Sequence, residues 1–274
     1  MFYKIKKTTN RVKTANIYRV TLGADTISEE TVETKDVSAL YEKYEELNRI
    51  IRKERIEEAN EQLSTATKIV HSGEQGSDEW KIERLGLITS SNTPFNVDGT
   101  AIPTIKKYAR RKASEYFSFN TLGEELRGHY SSPAMKRGTH LEDEAIEEYS
   151  IETMQVIERK PLVELKELGI GDSIDGEVPS LNKGIEVKCP ETLEPYLRQK
   201  IDGTYIDEYR QQIYMHLLVN GYDSVDFVVY YPKMKLLIQT VERDDDRMVA
   251  MMETIKKFNH YYEEALAVLN ESMA

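Results

Sequence analysis

The chain has 274 residues, 39% hydrophobic and 31% charged, enough to bury a sizeable core in one large domain or in one domain with an appendage. A formal net charge of −11 argues against a general polyanion-binding surface, although an acidic site can coexist with a local basic channel. No apolar run approaches the ~20 residues of a membrane span, the opening MFYKIKKTTN lacks the apolar stretch of a signal peptide, and the single cysteine, Cys189, excludes an internal disulfide; a soluble, cytoplasmic protein is expected.

FYKIKK and NIYRVTL predict two short strands within residues 1–35. From Asp36 the apolar residues Val37, Leu40, Tyr41, Tyr44, Leu47 and Ile51 recur at three- and four-residue steps. They predict a long helix to about Leu63, with Asp36 or Ser38 as its cap. No motif in residues 1–65 carries chemistry, so they read as an appendage to a working domain at 66–274.

TKIVH (67–71) predicts a strand, and GSDEWKIERLGLITSSN (76–92) follows. Ser77 is a good N-cap for a short helix carrying Trp80 and Arg84, four apart on one face, with Thr89, Ser90 and Ser91 just beyond. A fixed guanidinium near hydroxyls and free N–H groups is a phosphate site in chemical terms; a surface salt bridge with a capping turn is the plainer alternative. A helix from about Pro103 to Phe119 carries the densest basic run, Lys106, Lys107, Arg110, Arg111 and Lys112, which is a solvated face or a phosphate contact. In KRGTHLEDEAIEEYS (136–150), Thr139 opens a helix with Glu142 as its capping-box partner. Leu141, Ala145 and Tyr149 form its buried stripe, and Glu142 lies at the rim.

Strands follow in MQVIERKPLVEL, LGIGDSIDGEV and GIEVKC. In the last, Ile185 and Val187 face a core, so Glu186 and Lys188 emerge on the other face about 6–7 Å apart. A turn rich in Gly, Pro, Ser and Asn can return Asp172 or Asp175 to the same end. Two carboxylates and an ammonium so placed can hold Mg²⁺ beside a water, whereas an acid and a lysine two apart can also be a plain solvated face. An irregular, aromatic-containing stretch after Pro190 leads to a helix from Asp207 to Asn220, with Gln211 and Gln212 in its middle and Gly221 closing it. SVDFVVYYP and KMKLLIQTVE predict a hairpin around Pro232 and Lys233. A last helix, Asp245 to Leu269, packs Met248, Met252, Ile255, Phe258, Tyr262 and Leu266 as core. This order implies an α/β domain around one mixed sheet.

The set GSDEW-x3-RLGLITSSN, KRGTHLEDEAIEEY, S-I-D-G, GIEVKCP and Y-x-x-Q-I-x6-VNG resembles, from about Lys68 to Leu266, the lambda-type phage exonucleases. These form the YqaJ-like viral recombinase family of the restriction-endonuclease-like nuclease superfamily. The resemblance implies a restriction-endonuclease-like core with a central mixed β-sheet flanked by helices, here carrying an N-terminal strand-strand-helix appendage. It implies Mg²⁺-dependent degradation of linear double-stranded DNA from its ends, 5′ to 3′, leaving 3′ single strands for an annealing protein, with Mn²⁺ as a substitute ion.

The resemblance also assigns residues. Asp175 and Glu186 look like metal ligands, with the Val187 carbonyl helping. Lys188 looks like the group that orients or deprotonates the attacking water, and Glu142 like a supporting acid. Arg84, Ser91, Ser173 and Gln212 match positions lining a pocket for the 5′-terminal phosphate. The S-x-D-G pattern selects Asp175 and leaves Asp172 as a turn residue. An ammonium beside a metal should have a depressed pKa, which suits a base. Ile174 stands where the family usually has Pro, and Tyr214 where a second glutamine is common. The implied partners are DNA ends, an annealing protein and copies of the chain in a ring-shaped trimer, within a phage-infected or prophage-bearing bacterial host. An endonuclease of restriction or repair type on the same core, and a non-catalytic DNA-end-binding module, are the alternatives.

Overall fold

A computed structural model describes residues 3–12, 15–22, 25–33, 37–94, 105–125 and 133–273. The chain forms two compact units, Met1–Glu61 and Gln62–Ala274. Asp36 and Pro103, the expected starts of two helices, lie outside the described residues.

The first unit holds an antiparallel sheet of β1 (Tyr3–Val12), β2 (Ala15–Leu22) and β3 (Asp25–Glu33), in that order, and most of the long helix α1 (Val37–Thr65). Two strands were expected and a third is present. DTISEETVE has almost no apolar alternation to announce it, and it is fixed by its pairing with β2. Val20 packs with Leu40 and Tyr44, and the rings of Tyr3 and Tyr44 lie 5.1 Å apart. The Asn48 side chain accepts from the Tyr3 N–H at 2.8 Å and donates to its carbonyl at 3.1 Å, tying helix to strand.

In the second unit β4 (Lys68–Val70) leads through α2 (Asp78–Glu83) to β5 (Ile88–Thr89), α3 (Ile105–Asn120) and α4 (Pro133–Thr153). Next come β6 (Val163–Leu165), β7 (Ile170–Asp172), β8 (Gly176–Val178) and β9 (Lys183–Lys188). The chain ends with α5 (Leu193–Asp202), α6 (Arg210–Asn220), β10 (Ser224–Val229), β11 (Leu237–Glu242) and α7 (Asp245–Glu271). The α/β class is as expected, but the single mixed sheet is divided into two four-stranded sheets, β11-β10-β9-β8 and β4-β6-β7-β5. The division falls between β7 and β8, where Ser173, Ile174 and Asp175 leave the ladder and turn their side chains to other tasks.

Both faces of β9 are covered. Ile185 and Val187 pack with Leu141, Ala145 and Tyr149 of α4 and with Val228 and Tyr230, while α6 packs on the opposite side and also meets β7, β10 and the turn Ser90–Asn92. Helix α7 lies along α3, with Tyr108 and Phe258 rings 5.6 Å apart, and buries Met248, Met252, Ile255 and Phe258 as expected.

Two local expectations need correction. Helix α4 begins at Pro133, so Thr139 is inside the helix rather than its cap, and Glu142 is not a capping-box partner. Proline fits a first helical turn because its missing N–H would have had no intrahelical partner there. The stretch read as irregular after Pro190 contains α5, ending on Gly203 in the left-handed conformation at φ 66°. Pro195 also lies in a first helical turn, where it breaks nothing.

Candidate active site

The hairpin of β8 and β9 pairs Gly176 with Ile185 and Val178 with Lys183, which brings Asp175 back over the end of β9. The Asp175 Oδ2 atom accepts from the Val187 N–H at 2.7 Å. Ile174, at the position where proline was the expected residue, is buried and sits over Gly184, where a Cβ would also lie 2.8 Å from the Tyr222 ring. The close approach that only glycine permits at 184 seats Ile174 and aims Asp175 inward.

Glu186 is 1% exposed, which rules out a solvated face. Its Oε1 accepts from Lys188 Nζ and from Gln212 Nε2 at 2.7 Å, and its Oε2 from His216 Nε2 at 2.9 Å. Burial alone would raise this carboxyl, but Lys188 and His216 overcome it and hold the pKa at about 2. Asp175 goes the other way. Burial, then the carboxylates of Glu186 and Glu142, push it well above the ordinary range. Glu142 is also raised by burial; Arg159 opposes this at 2.6 Å, and the charge of Glu186 adds to it. The same guanidinium donates to the Asp175 carbonyl at 2.5 Å. Asp175, Glu186 and Glu142 therefore share one electrostatic neighbourhood.

Burial lowers the Lys188 pKa, but Glu186 and Asp175 outweigh burial and raise it above its ordinary value. Its ammonium lies 4.7 Å from the centre of the Tyr209 ring, whose hydroxyl meets that of Tyr205 at 3.0 Å. Lys188 is thus a fixed cation and hydrogen-bond donor.

Ser173, two residues before Asp175, belongs to a second constellation. Its Oγ accepts from Trp80 Nε1 at 3.1 Å, and the Arg84 guanidinium stacks on the Trp80 ring at 3.9 Å. Ser77 caps α2 by accepting from the Trp80 N–H at 3.1 Å, and Arg84 is the C-cap residue, so the short helix sets the stack at both ends. Arg84 Nη2 donates to Thr89 Oγ1 and Ser91 Oγ, each at 2.9 Å. Burial pulls its pKa down to about 10, with Asp172 pulling back. A guanidinium desolvated this far and bonded to neutral hydroxyls suits an anion.

Arg84, Ser91 and Ser173 thus lie in one cluster, and Asp175, Glu186, Lys188 and Glu142 in another; Gln212 contacts Glu186 in the second. Val187 is buried and gives its N–H to Asp175. Tyr214 turns away beneath Arg247 at 5.1 Å. The basic run of α3 is split: Lys112 is buried, Arg111 is 3.6 Å from Glu115, and Lys106 is 3.7 Å from Glu264.

Sequence reasoning missed two residues. Asp172 is no turn residue: it lies on β7, 1% exposed, and accepts from His216 Nδ1 at 2.7 Å and from Asn220 Nδ2. His216, 0% exposed, bridges Asp172 and Glu186. The available signal was spacing, since Gln212, His216 and Asn220 recur every four residues along a helix whose other side chains from Ile213 onward are apolar or aromatic.

Among the described residues no group of three His, Cys, Asp or Glu side chains is arranged as a metal cage. A hard divalent cation such as Mg²⁺ needs only one or two carboxylates, with water and phosphate completing its shell. Asp175 and Glu186 supply that number, and the like-charge crowding that raises Asp175 is what a cation would relieve. The donor set fits such an ion.

Residues 79–223 match the YqaJ-like viral recombinase domain as a family. Among solved structures, the chain is similar to an alkaline exonuclease (LHK-Exo) from Laribacter hongkongensis, at 26% identity and a TM-score of 0.59, over 72% of this chain and 98% of that one. The same exonuclease in complex with dAMP aligns at 26% identity and a TM-score of 0.58, with the same coverage. A phage-related exonuclease from Haemophilus somnus shares the fold at 14% identity and a TM-score of 0.50, over 71% of this chain and 95% of that one. No curated protein matches the chain.

Proposed function

The chain belongs to the YqaJ-like viral recombinase family and is a nuclease, and on that premise we propose that it digests linear double-stranded DNA from its ends, 5′ to 3′, leaving 3′ single strands for an annealing protein. One observation carries this reading. Ser173 and Asp175, two residues apart on the segment joining β7 to β8, reach respectively the Arg84–Trp80 stack and the carboxylates beside Lys188. Two residues of chain span at most about 7 Å, so an anion pocket adjoins the acidic site. A terminal 5′ phosphate held at Arg84 would register the adjoining phosphodiester against the acids, which is how an enzyme tells an end from an interior position.

In this reading Asp175 and Glu186, helped by the Val187 carbonyl and supported by Glu142, hold Mg²⁺, with Mn²⁺ as a substitute. When bound, such an ion supplies Lewis-acid polarisation of the scissile phosphate. Lys188, hydrogen-bonded to Glu186, orients or deprotonates the attacking water, and its N–H groups stabilise charge that grows in the transition state. Gln212 fixes one oxygen of Glu186, and Arg84 with Ser91 and Ser173 binds and orients the end.

The deciding experiment is timed digestion of a linear duplex labelled separately at each 5′ and 3′ end, beside a closed circular duplex. The expected result is early release of the 5′ label, dependence on a divalent ion, and an intact circle. Cutting of the circle would replace this reading with an endonuclease on the same core, and end binding without release in any divalent ion would leave a binding module.

A further inference from the structure

Helix α6 buries Ile213, Met215, Leu217, Leu218 and Val219, yet one polar stripe, Gln212–His216–Asn220, runs through it and ends at Gly221. Every member of the stripe is aimed at an acid of the strands below. Gln212 and His216 each take one oxygen of Glu186, and His216 and Asn220 each take one oxygen of Asp172. Both nitrogens of the His216 ring face carboxyl oxygens, so the ring is held at both edges. It is enclosed between the two carboxyl groups with essentially no exposure. Such an enclosed polar triad adds little net stability compared with apolar packing of the same volume, because desolvation offsets the attraction. It does fix orientation: donors at both oxygens leave the Glu186 carboxylate one plane and one rotamer.

We infer that Asp172 and His216 are a positioning pair for Glu186, with Asp172 holding the His216 ring and His216 holding the Glu186 carboxylate ready to bind a divalent cation. The inference rests on the reading of Glu186 as a metal ligand. Neither residue touches the reacting atoms; both act through Glu186, as carboxylates and histidines behind metal ligands do in general. Asp172 has a further connection, because its charge also supports the Arg84 guanidinium. It stands between the anion pocket and the acidic site.

The test is Mn²⁺ binding to the DNA-free protein, measured by calorimetry for the wild type, E186Q, H216A, H216Q, D172N and the core variant L217A, with kcat and KM on linear duplex in parallel. E186Q loses Mn²⁺ binding. H216A and D172N weaken it by roughly tenfold or more and lower kcat, and in H216A KM for duplex ends stays near the wild-type value. H216Q recovers part of the loss, since its amide N–H can still reach Glu186. L217A lowers Tm without changing Mn²⁺ affinity, which separates positioning from general loosening of α6. Wild-type Mn²⁺ affinity in both H216A and D172N, with E186Q defective, overturns the positioning pair alone. If H216A fails to fold, D172N decides. Equal losses of affinity in L217A and D172N would reduce the pair to structural packing and overturn the inference. Wild-type affinity in E186Q removes the ligand reading beneath it, and the inference with it.

Discussion

Two buried carboxylates sit on neighbouring parallel strands and do different things. Asp226 on β10 lies opposite Ile185 in register, one position from Glu186 on β9, and the two are 3% and 1% exposed. Asp226 accepts from the hydroxyls of Tyr149 and Thr240, each at 2.6 Å, and from Lys183 at 3.1 Å. That is one anion answered by one cation and two neutral donors. Glu186 is also answered by a lysine and by a neutral donor, Gln212, but it adds an imidazole, and Asp175 and Glu142 crowd it with like charge. Burial and a lysine partner are common to both. Crowding of carboxylates around one lysine is what sets this cluster apart from the ion pair at Asp226, because like charges brought together out of solvent raise one another's pKa and a cation would relieve them.

The contrast breaks first at Lys188 and Glu186. Lys188→Ala and Glu186→Ala should each reduce nucleotide release from linear duplex by roughly 10²–10⁴ while circular dichroism and duplex-end binding stay near wild type. Full activity in either variant would remove the mechanism assigned to this face of β9. Asp226→Ala should do the reverse. It leaves the buried Tyr149 hydroxyl without its acceptor, at a cost of about 1–3 kcal/mol, seen as a lower urea midpoint, while the rate per folded molecule is retained. A variant of Asp226 that folds normally and cannot digest DNA would end the distinction between the two carboxylates.

How much of this was legible in the sequence follows the same line. The E-x-K strand and the Trp80–Arg84 helix with its Ser77 cap could be read because each rests on short-range periodicity or spacing, whereas spacing left Asp172 and Asp175 both open and the family resemblance chose Asp175. Asp172 and His216 could not be read as partners. They are 44 positions apart, and only the packing of α6 on β7 and β9 joins them. The surroundings of Lys188 follow from the fold in the same way: the count of carboxylates around an ammonium is not a local property, and here Glu186 and Asp175 outweigh burial. Glu142 was given a capping task because Thr139 looked like a helix start; Pro133 opens the helix earlier and frees Glu142 to meet Arg159. β3 went unseen because a polar strand held by its neighbour has no amphipathic signature of its own.

The other half of the site gives a smaller effect. Arg84→Ala should abolish the preference for 5′-phosphorylated over 5′-hydroxyl ends, a preference of roughly tenfold to a hundredfold if the guanidinium makes a charge-assisted hydrogen bond worth about 1.5–3 kcal/mol. The rate on 5′-hydroxyl ends should change little. Equal rates on both ends for the wild-type protein would show that the Arg84 stack does not hold a terminal phosphate, although the carboxylate site could stand without it.

The smallest effect expected is at Ser77. Its hydroxyl accepts from the Trp80 N–H at 3.1 Å and starts a helix of only six residues, too short to hold its shape by its own hydrogen bonds. Ser77→Ala should cost about 1 kcal/mol of stability, as loss of an N-cap does elsewhere. The consequence for function is more specific than for stability, because Trp80 is both the second residue past the start of α2 and the platform under Arg84. If the cap sets the platform, Ser77→Ala raises KM for 5′-phosphorylated ends and leaves both kcat and Mn²⁺ affinity unchanged. If kcat falls instead, α2 is coupled to the carboxylates through the Trp80–Ser173 hydrogen bond, and the two clusters work as one unit rather than as neighbours.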